Sequence, residues 1–251
     1  MFINQEISIE QLSNKYQLLP RLFELGKAIM QDADTELNKE HLAKLLGFLL
    51  LYKQCSPSVL AGLMYNTIPD EQGLADFLTK ATVEDFIDFN GNKFVTKFLV
   101  SDEEQKKLDM YCYPLPMLIE PKEIKNNKQD GYYLQLNTGI ILKNNRTNDD
   151  VNLDYINKEN KIKLELNKYA VLNNHNEWSC DMANQMNKQM FDRFNLAQQE
   201  ILTCYKDRTF YLTWKYDKRG RSYSQGYHIN IQSNDYGKSL INFSHKEIIE
   251  N

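Results

Sequence analysis

Residues 209–223 read TFYLTWKYDKRGRSY, and this stretch sets the expected fold of the second half of the chain. Over residues 209–216 the side chains alternate roughly at strand period, which would sort basic and aromatic groups onto two faces. Gly220 then lies between two arginines. The stretch therefore predicts a half-buried β-strand followed by a basic segment.

The wider segment 205–228 is both basic and aromatic. It holds six Lys or Arg residues, two acidic residues and seven aromatic residues. Clustered cations neutralise phosphates and release counterions, while aromatic faces are platforms for unpaired bases. This composition is compatible with nucleic-acid binding, but it is more typical of a half-buried sheet with one solvated face. Composition alone leaves both interpretations open.

Short β-type runs and longer helical patterns precede this segment. Apolar runs at 132–136 and 140–142 surround an Asn-Thr-Gly turn and predict a β-hairpin. Residues 149–172 and residues 178–205 carry apolar side chains at helical spacing, so each range predicts a helix. A methionine stripe in the second helix is expected to pack into the core rather than to bind a cofactor. The stripe consists of Met182, Met186 and Met190.

Residues 1–110 predict a small helical bundle in which we find no chemistry. An apolar helix is expected over 40–53, and Ser56 is expected to cap a further helix with Pro57 at its first position. Thr82, followed by an acid three residues later, predicts another helix start. This range carries 11 basic and 17 acidic side chains, which makes it an unlikely polyanion binder. The chain is thus predicted to be mainly α with small β-hairpin and strand elements, with domains over 1–110 and 111–251.

Composition excludes several classes of site. The four cysteines are far apart without a C-x-x-C spacing, which argues against zinc and against a disulfide framework. The four histidines are equally scattered, so we expect no metal site and no catalytic residue on this chain. No apolar run of about 18 residues occurs, so no membrane span is expected. The first residues lack the basic region of a secretion signal.

The order of residues in the basic segment is more specific than its composition. Residues 217–223 have the form D-x-R-G-R-x-Y, and residues 232–240 have the form Q-x-x-D-x-x-K-x-L. Upstream, residues 116–122 and 131–133 follow the pattern P-M-h-h-x-P-x…G-Y-Y, in which h is apolar. Together these motifs resemble the single-subunit DNA-dependent RNA polymerases of T-odd phages and mitochondria. The resemblance covers roughly residues 111–246.

This resemblance implies the N-terminal part of a right-hand polymerase fold, lying beside the active site along template DNA and the RNA–DNA hybrid. Arginines of the D-x-R-G-R-x-Y motif would contact backbone phosphates, because a guanidinium can hold two phosphate oxygens. The glycine would allow close approach or a positive φ, and the aspartate would orient an arginine. The implied nucleic-acid-binding residues are Lys215, Asp217, Arg219, Gly220, Arg221, Tyr223, Gln232, Asn234 and Lys238.

Ordinary structural roles remain open for some of these residues. The alternative role for Asp217 and Arg221 is a structural ion pair that contacts no ligand. The alternative role for Tyr223 is packing in the core, and the alternative for Lys238 is a solvated cation at the surface.

The chain also departs from the family pattern. Asp130 stands where the family usually has a glycine, and the chain reaches Asn251 soon after the motif block. No acidic pair matches the family's two metal-binding aspartates, which two-metal phosphoryl transfer requires. The resemblance therefore implies the small subunit of a two-subunit phage polymerase of the N-four type. Its partner would carry palm, fingers and the Mg²⁺, in the cytoplasm of the infected bacterial host.

Two other readings share much of this chemistry. One alternative hypothesis is a standalone nucleic-acid-binding transcription accessory protein. The other is the N-terminal fragment of a longer single-chain polymerase. Because residues 1–110 are shorter than the corresponding family region, a single-stranded-DNA-binding or promoter-opening protein is a further expected partner.

Overall fold

A computed structural model of the chain describes residues 15–134, 139–142, 150–177 and 185–245. The chain divides into two compact units, a helical unit over residues 15–108 and a mixed unit from residue 109 onward. In the described ranges the protein is mainly α-helical with small antiparallel strand pairs, as the sequence predicts. No helix in those ranges is long and apolar enough to cross a lipid bilayer.

The helical unit consists of four helices followed by a small hairpin. Its helices are α1 Lys15–Met30, α2 Lys39–Tyr52, α3 Pro57–Met64 and α4 Glu71–Val83, and its strands are β1 Ile87–Phe89 and β2 Phe94–Thr96. The two strands pair antiparallel. Helix α5, Asp102–Tyr111, continues from this unit into the mixed unit.

Side-chain caps fix where these helices begin. Ser56 Oγ accepts a hydrogen bond from the Val59 N–H with Pro57 in the first turn, which confirms the predicted start of α3. The prediction for Thr82 is wrong, because this residue lies in the last turn of α4. Its hydroxyl donates to the Leu78 carbonyl at 2.8 Å instead of capping a new helix.

Close helix packing organises the core of the helical unit. Leu42, Leu45, Leu46 and Leu49 of α2 are all fully buried, which matches the apolar helix predicted over 40–53. Helix α1 approaches α2 so closely that a Cβ added at Gly26 would lie 2.6 Å from the Ala43 carbonyl oxygen. The missing side chain of Gly26 is therefore a requirement of the packing.

Replacing Gly26 by alanine should lower the free energy of unfolding by about 1–3 kcal/mol, because the new methyl group overpacks the contact between α1 and α2. Gly62→Ala is the matched control, since this helical glycine is exposed with no atom within 4 Å of an added Cβ. That change should stabilise the unit by about 0.5–1 kcal/mol through helix propensity. Urea unfolding of both variants measures the difference, and equal effects would contradict the packing argument.

The mixed unit contains three short helices, one helix of 21 residues and two small sheets in its described ranges. Its helices are α6 Leu153–Asn160, α7 Lys168–Asn173, α8 Gln185–Tyr205 and α9 Asp235–Ser239. Its strands are β3 Leu164–Leu166, β4 Thr209–Phe210, β5 Trp214–Tyr216, β6 Ser222–Ser224 and β7 Ile241–Phe243. One antiparallel sheet has the order β4-β3-β7, and β5 and β6 form an antiparallel hairpin.

The single helix predicted over 149–172 is wrong, because strand β3 interrupts it between α6 and α7. Leu164 and Leu166 are buried while Glu165 between them is half-buried, which is the two-residue period of a strand. Asn167 then begins a new helix, since its side chain accepts a hydrogen bond from the Ala170 N–H.

The predicted helix over 178–205 is confirmed for residues 185–205, and its first seven residues lie outside the described ranges. Met190 is 51 % exposed, so it does not pack into the core as expected. Met182 and the Met186 side chain lie outside the described part of the chain.

The hairpin predicted over 132–142 is not tested across its turn, because residues 135–138 lie outside the described ranges. Its second run pairs with another partner. The Ile140 carbonyl accepts from the Tyr216 N–H at 2.9 Å, and Ile141 forms a parallel bridge with Tyr216. These contacts extend the edge of β5.

His228 is a buried polar group in the core of the mixed unit. Its Nε2 lies 2.9 Å from the Asp109 carbonyl oxygen, to which it donates, and its ring stacks on Phe194 at 5.2 Å between centroids. Gln198 donates to the His228 carbonyl at 2.7 Å. Burial lowers the pKa of His228 below its ordinary value, so folding favours the neutral imidazole.

Stability should therefore depend on pH in the range where histidine titrates. Below about pH 6.5 the unfolded chain takes up a proton on this side chain, whereas the folded chain does so only below its depressed pKa. The free energy of unfolding should fall as pH drops through that window. His228→Gln should remove this slope, and His175→Gln, at an exposed histidine, should retain it. Denaturant titrations between pH 5 and 7.5 provide the measurement.

Candidate nucleic-acid interface

The β5–β6 hairpin positions the basic segment predicted from the sequence, in the turn between its strands. Trp214 pairs with Ser224, Lys215 with Tyr223 and Tyr216 with Ser222. Because neighbouring residues of a strand point to opposite faces, Lys215 and Tyr223 share one face of the hairpin. The paired Tyr216 and Ser222 lie on the other face. The predicted strand over 209–216 is thus observed as two short strands, β4 and β5.

The turn closes through two backbone hydrogen bonds. Asp217 N–H donates to the Arg221 carbonyl at 2.8 Å, and Gly220 N–H donates to the Asp217 carbonyl at 3.1 Å. Gly220 has a φ of +80°, a conformation that side chains disfavour, so the turn needs glycine at this position. Two roles were expected for Gly220, a close approach to the nucleic acid or a positive φ, and the structure shows the positive φ.

The Asp217 carboxylate holds the turn from inside. Its Oδ1 accepts from the backbone N–H groups of Arg219 at 2.8 Å and Arg221 at 3.0 Å. Its Oδ2 accepts from Arg221 Nε at 2.8 Å and lies 2.6 Å from Nη2. The backbone N–H of Arg221, with its guanidinium and the Arg219 N–H, lowers the pKa of Asp217 to about 2. The expected aspartate–arginine pair is therefore present, and the carboxylate stays ionised at neutral pH.

Three cations project from this turn with different degrees of restraint. Lys218 and Arg219 are exposed, and neither side chain forms a hydrogen bond or ion pair with any residue in the described ranges. The Arg221 side chain is 57 % exposed despite its pairing with Asp217, and its guanidinium lies 5.5 Å from the Tyr223 ring centroid. Tyr223 is half-buried. The turn thus presents positive charge in excess of its single carboxylate.

Tyr155 of helix α6 is a neighbour of the turn that lies outside the motifs identified in the sequence. Its hydroxyl lies 3.4 Å from Ser222 Oγ, and the residue is 41 % exposed. The contact joins residues 67 positions apart. No spacing rule in the sequence could have signalled it.

Lys215 does not belong to this surface, although the resemblance implied that it did. Its side chain is 10 % exposed and its ammonium lies 3.4 Å from Asp130 Oδ2, whose side chain is 8 % exposed. Burial lowers the pKa of Lys215, while the neighbouring Asp130 carboxylate opposes that shift. Asp130 is also the residue that replaces the family's usual glycine. The departure from the pattern thus supplies the partner of this buried lysine.

The downstream motif residues mainly stabilise local structure. Gln232 Oε1 accepts from Ser224 N–H at 2.9 Å and its Nε2 donates to the Ser222 carbonyl at 3.1 Å, which satisfies the β6 backbone. Asn234 caps α9 through Gly237 N–H at 3.0 Å. Lys238 remains at the surface, 3.3 Å from Asp235 Oδ1. Gln232 therefore lies beside Ser222, next to the turn, whereas the contacts of Asn234 are with α9.

The upstream proline-containing motif packs beside the same strands. Met117 exchanges backbone hydrogen bonds with Tyr211 at 2.8 and 2.9 Å. A Cβ added at Gly131 would lie 2.9 Å from Pro121 Cβ and 3.1 Å from Thr213 Cγ2. The upstream motif therefore packs against Tyr211 and Thr213, in the segment that leads into β5.

Compared with models of known protein families and with curated protein sequences, the chain matches none.

Removing the carboxylate of the buried pair should be strongly destabilising. Asp130→Asn leaves the Lys215 ammonium buried without a counter-charge, and the free energy of unfolding should fall by about 3–5 kcal/mol. A double variant with Lys215→Met should recover much of this loss. Lys168→Met, which breaks the exposed pair with Asp207, should have no measurable effect. Chemical unfolding of the three variants tests this, and equal losses for both pairs would contradict it.

Proposed function

We propose that this chain is the small subunit of a heterodimeric phage DNA-directed RNA polymerase. In this proposal it forms the N-terminal part of a right-hand polymerase fold and contacts template DNA and the RNA–DNA hybrid. The observation that carries the proposal is the closed turn over residues 217–221, in which Asp217 fixes the backbone while cations project outward. The ordered motif D-x-R-G-R-x-Y supplies the link to this enzyme family.

The chemistry of the turn suits a polyanionic strand. Lys218 and Arg219 are exposed without internal partners in the described ranges, so their charge is available to neutralise phosphates. Arg221 is fixed by Asp217 and still largely exposed, which preorganises its guanidinium for a phosphate oxygen. Tyr223 lies under that guanidinium and offers an aromatic surface to a template base.

Nucleotidyl transfer would be completed by the partner chain. No acidic pair in this sequence matches the family's two metal-binding aspartates, and no group of three or more potential metal ligands occurs among the described residues. The proposal therefore assigns Mg²⁺, palm and fingers to a large subunit. It places both chains in the cytoplasm of the infected bacterial host, with a single-stranded-DNA-binding or promoter-opening protein as an additional partner.

The alternative is a standalone transcription accessory protein that binds nucleic acid by the same turn. Reconstitution separates these two functions. Co-expressed with a candidate large subunit that carries the palm motifs, this chain should support Mg²⁺-dependent RNA synthesis, and neither chain alone should do so. Tight nucleic-acid binding by this chain, without any synthesis in the reconstituted complex, would favour the accessory protein.

Removing one free cation should weaken binding to a labelled 12-nucleotide single-stranded DNA. Arg219→Ala should reduce affinity by roughly tenfold or more, since charge-assisted hydrogen bonds contribute about 1.5–3 kcal/mol. The slope of log K against log salt should fall by about 0.7, which corresponds to one lost phosphate contact. Fluorescence anisotropy at several salt concentrations gives both values.

Arg208→Ala is the matched control, because Arg208 is an exposed arginine of the same unit outside the turn. It should leave the affinity and the salt slope nearly unchanged. Equal losses for both variants would show that general positive charge, rather than the turn, binds the strand.

A further inference from the structure

We infer that Tyr155 is a base-stacking residue at the basic turn and makes the site selective for unpaired nucleotides. The inference rests on the proposed function, because it concerns the strand that the turn would bind. It assigns a binding role to a residue outside the motif block, on helix α6, and it identifies the ligand class as single-stranded nucleic acid.

Helix α6 is held against the hairpin by hydrogen bonds at both of its ends and by apolar packing, so the position of Tyr155 is well defined. Asn160 Oδ1 accepts from the Trp214 N–H at 2.9 Å at one end of the helix. At the other end, the Tyr216 hydroxyl donates to the Asn152 carbonyl at 2.9 Å. Ile156 is fully buried in the apolar cluster that also contains Tyr216. A stacking residue needs this kind of rigid support, because ordering a mobile ring opposes binding.

Tyr155 and Tyr223 lie beside different faces of the hairpin. Tyr223 shares its face with Lys215, to which it is paired across the strands. Ser222 lies on the opposite face, and its hydroxyl is the contact point of Tyr155. Tyr155 and Tyr223 therefore lie beside opposite faces of the hairpin that carries the turn.

This arrangement discriminates between single and double strands. Cations at the turn bind phosphates of either form, because both carry the same backbone charge. A tyrosine ring can stack only on a base whose face is accessible, and in a duplex those faces are covered by neighbouring base pairs. With 41 % of its surface exposed, Tyr155 retains ring area for such a contact.

The test uses the full chain with two labelled probes, a 12-nucleotide oligothymidylate and a 12-base-pair duplex. Tyr155→Ala should lower affinity for the single strand about 5- to 100-fold, the range for loss of one stacked base. It should change affinity for the duplex less than about twofold. Tyr155→Phe should bind both probes like the parent chain, since the ring persists and only the hydroxyl contact with Ser222 is lost.

Two further variants complete the design. Tyr169→Ala removes another exposed tyrosine of the mixed unit, which is 74 % exposed on helix α7, and it should leave binding to both probes unchanged. Tyr155→Leu keeps apolar bulk on α6 without an aromatic face and should weaken single-strand binding as alanine does. Thermal melting of each variant identifies any loss of binding that results from unfolding. If the alanine variant is unfolded, the leucine variant decides the outcome.

Unchanged single-strand binding by the alanine and leucine variants would overturn this inference. Equal weakening of both probes would overturn it as well, as would a phenylalanine variant as weak as alanine, because the hydroxyl brace would then explain the effect. If Arg219→Ala weakens binding while these variants do not, the proposed function stands and only this inference fails. If the parent chain binds neither probe, both fail together.

Discussion

Strand β5 has to satisfy hydrogen bonds along both of its edges, and the geometry of the candidate site follows from that constraint. Alternate residues of the strand face β6, while the N–H groups of Trp214 and Tyr216 point to the other edge. At that edge, the Trp214 N–H donates to Asn160 Oδ1 and the Tyr216 N–H donates to the Ile140 carbonyl. An unpaired buried N–H is costly, so these partners hold α6 and the segment around residue 140 against the strand. Because the turn over 217–221 follows β5 directly, these contacts of β5 also fix the position of the turn.

The parts of the fold that depend on local chemistry were predictable from the sequence. The start of α3 follows from Ser56 and Pro57, whose cap geometry involves only the next three residues. The conformation of Gly220 likewise follows from the hairpin turn that it completes. Strand β3 was not predictable in this way. Its residues fit helical spacing equally well, and its partner β7 lies more than 70 residues later in the chain.

Distance along the chain also explains which site residues the sequence identified. Arg219 and Arg221 are exposed because the turn is short and its backbone is closed by its own carboxylate. Motif order alone indicated these two arginines, whereas Lys218 occupies a variable position of the motif and was not predicted as a site residue. Lys215 lies two residues before the turn and looked equivalent, but its partner Asp130 is 85 positions away and both side chains are buried. Tyr155 shows the reverse case, because its contact with Ser222 exists only in the folded unit. Charge patterns locate a basic segment, whereas packing decides which cations reach a ligand.

The two arginines that flank Gly220 consequently do different things. Asp217 Oδ2 holds Arg221 through Nε and Nη2 above the Tyr223 ring, so little side-chain entropy remains to be lost when a phosphate binds. Arg219 is fixed only through its backbone N–H, so its side chain is held by no contact comparable to that of Arg221. In the proposed complex, the restrained Arg221 would set the register of the strand, and the unrestrained Arg219 would adapt to it. This division favours a site that holds successive backbone positions without reading base sequence, since phosphate contacts position a strand but carry no sequence information.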